Sequence, residues 1–310
     1  MERSLWGLVS YITWEWGSIG RVDTNNNMGE INVRILILGA TGFLGSTLFG
    51  LAEKLNHTVL GTSRNQNGNS NIIKLNITDK GAVEQTIKDF HPDVVVWALL
   101  SMAEEDALIN VGLSNLLSTI SRQTKLIFIS TDGVFSEGKG GYSESDETKP
   151  IAEEAPLSTY INSKIVGEKM VQNDHPNHII IRTGPLYGKD LNQNIEQRTQ
   201  RTISEVEEKG CFHAATNMYR NFVHIEDLST AILELCTLDF LGLIHVGPLQ
   251  KESYFSFYQK RLRGLDYEEN VIKASKIDPN ENPYLILDTS LNTQRVNGLL
   301  KSKFRSISSM

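Results

Sequence analysis

Tyr160-Ile161-Asn162-Ser163-Lys164 sets a phenol and an ammonium four residues apart, the spacing that brings two side chains to one face of a helix. A nearby ammonium favours the phenolate, so the tyrosine pKa falls toward working pH and Tyr160 can exchange a proton with a substrate carbonyl or hydroxyl. Any long surface helix can also show such a pair by chance. Upstream, Ser130-Thr131-Asp132 ends the apolar run Leu126–Ile129. An open α/β sheet presents its strand ends to the ligand crevice, which makes Thr131 a hydrogen-bond partner for the reacting oxygen and Asp132 its assistant. The alternative is a strand-end turn or helix cap.

A second cluster lies nearer the N-terminus. Gly39-Ala40-Thr41-Gly42-Phe43-Leu44-Gly45 follows the apolar run Arg34–Leu38 and opens a helix-length stretch. That is the context of a dinucleotide fingerprint. Gly39 permits the tight turn, Gly42 lets backbone approach a pyrophosphate, and Gly45 lets the helix pack on the sheet. Gly39, Thr41, Gly42, Phe43, Leu44 and Gly45 are therefore candidate cofactor residues, against a plain strand-to-helix turn. At the end of the second apolar run stands Gly61-Thr62-Ser63-Arg64 instead of an acidic residue. A cation beside two hydroxyls suits a 2′-phosphate, so NADPH is preferred with NAD possible, unless Arg64 is only a solvated loop charge. Asn76 and Ile77 follow the third run and are placed to contact the adenine. Ala98 and Leu99 follow the fourth and are placed on the far side of the cofactor, and all four could equally be packing residues.

The elements that must hold these residues are legible as period. Apolar runs at Val33–Leu38, His57–Thr62, Asn71–Leu75, Asp93–Ala98, Lys125–Ser130 and His178–Arg182 alternate with helix-length stretches. Such alternation predicts βαβ units and a buried parallel sheet, an α/β fold of the Rossmann, doubly wound type. Phe90-His91-Pro92-Asp93 predicts a helix stop before the fourth strand. Beyond Arg182 the rhythm weakens, and the polar stretches Lys189–Thr202 and Ile277–Pro283 do not continue it. The expected organisation is a nucleotide-binding domain of residues 33–182 with 223–246, and a smaller C-terminal substrate-binding domain of 183–222 with 247–310. Residues 1–32, with Trp6, Trp14 and Trp16, make no convincing signal peptide. They read as an extension: a disordered tail, a docking arm, or sequence upstream of a start at Met28.

Composition removes several function classes. The 310 residues carry 30 Lys+Arg against 37 Asp+Glu, a net charge of −7, so no global basic field grips nucleic acid or an anionic membrane. Cys211 and Cys236 form no CxxC pair and the seven histidines show no HExxH spacing, which argues against structural zinc and a disulfide framework. No metal site is expected, and a reducing cytoplasm is the default location. The longest apolar run, Val94–Leu100, is far short of a spanning helix.

Taken together, GATGFLG at 39–45, ISTDGVF at 129–135, YINSKIVGE at 160–168, IIIRTGPLYG at 179–188, RNFVHIEDL at 220–228 and LDTS at 287–290 resemble the extended short-chain dehydrogenase/reductases. Within them the chain is similar to the dTDP-4-dehydrorhamnose reductase-like family of sugar-nucleotide reductases and epimerases. The resemblance implies an NAD(P)-binding Rossmann domain and a small domain closing over a nucleotide sugar. It also implies a catalytic set of Thr131, Tyr160 and Lys164, with Lys164 also holding the nicotinamide ribose. Homodimers are usual among such relatives. Arg220 aligns with an arginine that clamps the nucleotide diphosphate, a role that competes with an ion pair to Glu226 or Asp227. His224 is expected to pack rather than touch substrate. Related dehydratases carry two acids where this chain has Asp132-Gly133, so dehydration lacks its base. Gly133 and Pro185 also replace an aromatic and a tryptophan of the reductases, which removes two apolar walls from the sugar pocket. The expected activity is an NAD(P)H-dependent reductase of a nucleotide-linked 4-keto sugar. The alternatives are an epimerase with tightly held NAD and a non-catalytic nucleotide-binding regulatory subunit.

Overall fold

Strand residues of alternating direction explain the architecture of this computed structural model, which describes residues 32–65 and 68–307. The six apolar runs become β1 (Arg34–Leu38), β2 (Thr58–Ser63), β3 (Ile72–Lys74), β4 (Val94–Trp97), β5 (Lys125–Thr131) and β6 (His178–Thr183). Short strands β7 (Leu186–Tyr187), β8 (Phe212–Ala215), β9 (Tyr219–Arg220) and β10 (Val223–His224) follow, then β11 (Gly242–Val246), β12 (Glu252–Ser253) and β13 (Ile272–Ser275). The main sheet runs β3-β2-β1-β4-β5-β6-β11, and every ladder in it is parallel. This is the doubly wound Rossmann order with a seventh strand added at one edge.

Because a strand's side chains alternate faces, Ile35, Ile37, Val94, Val96, Ile127, Ile179 and Ile181 point into one hydrophobic layer. Leu36, Leu38, Val95, Trp97, Leu126, Phe128 and Ile180 point into the other. The first layer packs on α1 (Phe43–Lys54) and α7 (Ile225–Thr237). The second packs on α2 (Lys80–Phe90), on a π-helix at Leu108–Leu113 and on α5 (Ser158–Asp174). Each Leu or Ile so buried contributes about 1.5–3 kcal/mol over an exposed one, which is why the strands read as unbroken apolar runs.

Local signals set the helix ends. Asp79 caps α2 by accepting from the Ala82 N–H at 3.1 Å, and the helix stops where His91 turns left-handed (φ 49°), just before Pro92. Between β4 and β5 lie α3 (Glu105–Ala107), the π-helix and α4 (Ser114–Thr119). Gly112 of the π-helix sits so close to Ile77 that a Cβ would come within 2.7 Å of its methyl group.

After β6 the chain builds a third cluster from Tyr187, Val206, Phe222, Phe257, Tyr258 and Leu262, with Phe222 and Phe257 stacked at 3.8 Å. Its helices are α6 (Gln197–Lys209) and α8 (Tyr254–Arg263), and α9 (Gln294–Leu299) returns to the first layer through Val296. Helix α6 begins inside the polar stretch 189–202, where the apolar rhythm gives no helix. The described residues from Asn32 onward form one compact unit. The readings of residues 1–31 lie outside the described residues. Among the described residues no helix is long and apolar enough to cross a membrane.

Candidate functional site

The glycine loop is built for close backbone approach. Gly39 has φ +91°, and a Cβ there would come within 3.2 Å of the Ala98 carbonyl oxygen. At Gly45 a Cβ would drive into the Gly39 carbonyl oxygen, so the first turn of α1 packs directly on the loop. Gly42 is the N-cap of α1, without a side-chain cap and with no acid in the first turn. The orphan N–H groups there keep their capacity for an anion. Strand β2 braces the loop, since Ala40 N–H donates to the Thr62 carbonyl (2.9 Å), Gly39 N–H to Thr62 Oγ1 (3.2 Å) and Thr41 Oγ1 to Ser63 Oγ (3.2 Å). These features fit a dinucleotide pyrophosphate.

A cleft of about 1890 Å³ runs from this loop across the carboxyl ends of the strands. Gly39, Thr41, Gly42, Phe43 and Leu44 line it, as do Arg64, Asn76, Ile77, Ala98, Leu99, Thr131, Asp132, Tyr160, Lys164 and Arg220. Gly45 does not reach the wall. Arg64 pairs with Glu104 at 2.7 Å, both side chains more than half exposed. Asn76 Oδ1 accepts from the backbone and hydroxyl of Thr78 (3.2 and 2.9 Å), a turn that leads into α2. Ile77 is buried in the second layer, and its carbonyl accepts from Asn115 Nδ2 at 3.1 Å.

Helix α5 presents Tyr160 and Lys164 one turn apart, with the ammonium 5.8 Å from the tyrosine ring. Lys164 is 2% exposed and its Nζ lies 2.8 Å from Oε1 of Glu105, which is fully buried. It also donates to the Leu99 carbonyl at 3.3 Å. Burial lowers the Lys164 pKa and Glu105 pulls it back up. Tyr160 moves opposite to the expectation of a lowered pKa. Burial raises it first and the Glu105 carboxylate adds to that, while the hydrogen bond with Thr131 works the other way. Desolvation thus leads, and the lysine expected to favour the phenolate already answers the Glu105 carboxylate.

Thr131 closes β5, and its Oγ1 accepts from the Gly133 N–H at 3.1 Å, so the strand-end cap and the cleft position coexist. Asp132 is buried, and its carboxylate accepts from Thr289 Oγ1 (2.6 Å) and Thr131 Oγ1 (3.3 Å) and faces Arg220 Nε at 3.5 Å. Burial raises its pKa against those three contacts. Arg220 therefore does not pair with Glu226 or Asp227. Those acids pair with Arg305, at 3.2 and 2.6 Å. The guanidinium also donates to the carbonyls of Tyr219 (2.6 Å), Leu287 (3.1 Å) and Ile286 (2.9 Å). Most of its fork thus pins the strap 286–289 across the cleft wall, which explains why LDTS stands beside the other motifs. His224 caps α7 and meets Tyr187 edge-on at 5.1 Å. A Cβ on Gly133 would come within 3.1 Å of Ile161, so an aromatic there needs Ile161 to move.

Three cleft residues, Glu104, Arg198 and Arg201, and the buried Glu105 beside the cleft escape sequence reasoning. Glu104 and Glu105 belong to the acidic run Glu104-Glu105-Asp106, which looks like a solvated face, yet Glu105 is fully buried while Glu104 and Asp106 are exposed. The one available signal for Glu105 is the buried cation of the YxxxK pair, which demands a partner. Arg198 and Arg201 of α6 bring two cations to the cleft from a segment that shows no apolar period.

The family model of the RmlD substrate-binding domain matches residues 33–283. Among solved structures the chain is similar to dTDP-4-dehydrorhamnose reductase from Bacillus anthracis str. Ames in complex with NADP, with TM-score 0.73 and 22% identity, covering 90% of this chain and 97% of that one. It is also similar to the Bordetella bronchiseptica enzyme WbmH in complex with NAD+, with TM-score 0.72 and 17% identity, covering 89% and 95%. At these identities the likeness is one of fold. Among curated proteins it is 27% identical over 224 residues to methionine adenosyltransferase 2 subunit beta of Rattus norvegicus, covering 66% of this chain and 64% of that protein. It thus spans under two thirds of that relative. Over 172 residues it is 30% identical to dTDP-4-dehydrorhamnose reductase of Mycobacterium tuberculosis, covering 51% and 53%. A family model spanning most of the chain, on a sheet of Rossmann order, places this protein in the RmlD substrate-binding-domain family of extended short-chain dehydrogenase/reductases.

Proposed function

We propose that the protein is an NAD(P)H-dependent reductase of a nucleotide-linked 4-keto sugar. The observation that carries this reading is a half-buried tyrosine, its phenol pKa raised, one helical turn from a buried lysine paired with Glu105, in the cleft that begins at the glycine loop. Ketone reduction needs a proton donor at the oxygen, and burial together with the Glu105 carboxylate keeps Tyr160 in the donor form. A nicotinamide cofactor held by the glycine loop would supply the hydride for the ketone carbon. Tyr160 delivers its phenolic proton to the oxygen, Thr131 offers a hydroxyl to the same oxygen, and Lys164 sets a positive charge beside the phenolate that forms. Asp132 holds Thr131 and the strap in place.

The glycine loop would hold the pyrophosphate, Arg64 the 2′-phosphate of NADPH, and Lys164 the nicotinamide ribose. Arg198 and Arg201 are free to meet the substrate diphosphate that Arg220, committed to the strap, meets less well. Residues 183–222 with 247–310 would close over the sugar nucleotide. The test is oxidation of NADPH and NADH by the purified protein against a panel of nucleotide-linked 4-keto-6-deoxy sugars. Turnover on at least one, faster with NADPH, is expected; cofactor binding without turnover on any contradicts the reading.

A second reading has its own support. The methionine adenosyltransferase relatives are named as subunits, and the walls lost at Gly133 and Pro185 suit a fold that binds nucleotide without turnover. Against it, such a subunit has no chemical need for Thr131, Tyr160 and Lys164 together.

A further inference from the structure

Lys164 has three N–H donors, and the structure places two oxygens against its Nζ. The ammonium pairs with Glu105 Oε1 at 2.8 Å and donates to the Leu99 carbonyl at 3.3 Å. Glu105 is itself held, because its other oxygen accepts from the Ser101 N–H at 2.7 Å. Both side chains are excluded from water, at 2% and 0% exposure. A carboxylate in that position is expensive unless it is paired and hydrogen-bonded, and here it is both.

The other charges around Lys164 are already answered. Glu168, one turn further along α5, is held by Arg182 of β6 at 2.6 Å and by the Ser130 hydroxyl at 2.5 Å. Asp132, at the end of β5, is taken by Thr289 and Arg220. Tyr160 is neutral, and the Phe128 ring at 5.1 Å offers only its face. Of the acids near Lys164, Glu105 alone is engaged by it directly. It belongs to α3, which joins the β4 end to the π-helix, so the pair ties that connection to the catalytic helix.

We propose that Glu105 is the positioning residue of the catalytic lysine, keeping Lys164 charged and aiming its remaining N–H into the cleft. This rests on the reductase reading for the role of Lys164, but the pairing chemistry can be measured without turnover. Glu105 does not touch the reacting atoms. It acts through the lysine, and through its charge it opposes ionisation of Tyr160.

The experiment is a pH titration of the Lys164 side chain by carbon-13 NMR, its signal assigned by its loss in Lys164→Gln. In the wild-type protein Lys164 is expected to be charged at neutral pH. In Glu105→Gln, which keeps an acceptor but removes the charge, its midpoint is expected to fall by about one to three pH units. Glu105→Asp, which keeps the carboxylate, should restore most of that shift. NADPH affinity of Glu105→Gln should then weaken as pH rises through the lowered midpoint, while the wild type stays flat. Equal midpoints in wild type and Glu105→Gln overturn the proposal. Should Glu105→Gln fail to fold, a wild-type Lys164 that is neutral at neutral pH overturns it equally. Shifted midpoints with no turnover on any sugar would sink the reductase reading and leave this pairing intact.

Discussion

The two ends of the cleft are built on different physics. At the glycine loop the work is done by backbone: a left-handed Gly39, a Gly45 with no room for a methyl group, and three hydrogen bonds to β2. At the catalytic end it is done by buried charge, in the pairs Lys164–Glu105, Arg182–Glu168 and Asp132–Arg220. Backbone geometry is specified by residues adjacent in sequence. Charge balance is specified by residues brought together from 14 to 88 positions apart, as the pairs 168/182 and 132/220 illustrate. Substitutions at the two ends should therefore fail in different ways.

The largest stability effect belongs to the charged end. Lys164→Gln leaves Glu105 buried without its counter-ion, which should destabilise the fold by about 3–5 kcal/mol, and adding Glu105→Gln should recover most of it. Urea denaturation of the three proteins checks this, and a double variant no better than the single would separate the two residues.

A pH effect comes next, from a buried histidine outside the cleft lining. His245 of β11 meets the Phe135 ring edge-on at 5.8 Å and bonds the Tyr142 carbonyl, and burial lowers its pKa to about 4. A histidine whose folded pKa lies below its unfolded value near 6.5 gives stability that is full above that value. That stability is lost as pH falls from about 6.5 toward 4, on the order of a few kcal/mol. Denaturation midpoints at both pH values should show a smaller drop for His245→Gln than for the wild type.

At the backbone end, Gly45→Ala should destabilise by about 1–3 kcal/mol through overpacking and should weaken cofactor binding, with Tyr160 chemistry impaired only through that binding. Calorimetry with and without NADPH measures both. The smallest effect is expected at the rim, where Arg64→Ala loses an exposed ion pair contributing about 0–1 kcal/mol. Thermal stability should hardly move, while the ratio of NADPH to NADH affinity should fall; an unchanged ratio would leave Arg64 as a surface charge.

The same division explains what the sequence makes legible. The six strands appear as apolar runs because a sheet buried on both faces writes itself as Ile, Val and Leu, and the glycine loop appears because only glycine satisfies its geometry. Tyr160 and Lys164 are legible as a helical pair. Their electrostatics are not, since Glu105 sits among acids that look solvated and its burial depends on α5 packing over α3. The partners of Arg220 are illegible for a related reason, because nothing local announces that the strap at 286–289 will accept from it. Helix α6 escapes notice because its inner face is made largely of Thr199, Thr202 and Val206, two of them polar.

The most direct test of the reductase account is Tyr160→Phe, measured for both turnover and NADPH affinity. Removing only the phenolic hydroxyl should lower turnover on the best 4-keto sugar nucleotide by about a hundredfold or more and leave cofactor affinity nearly unchanged. Turnover retained by Tyr160→Phe would contradict the assignment of Tyr160 as the proton donor, and with it the mechanism.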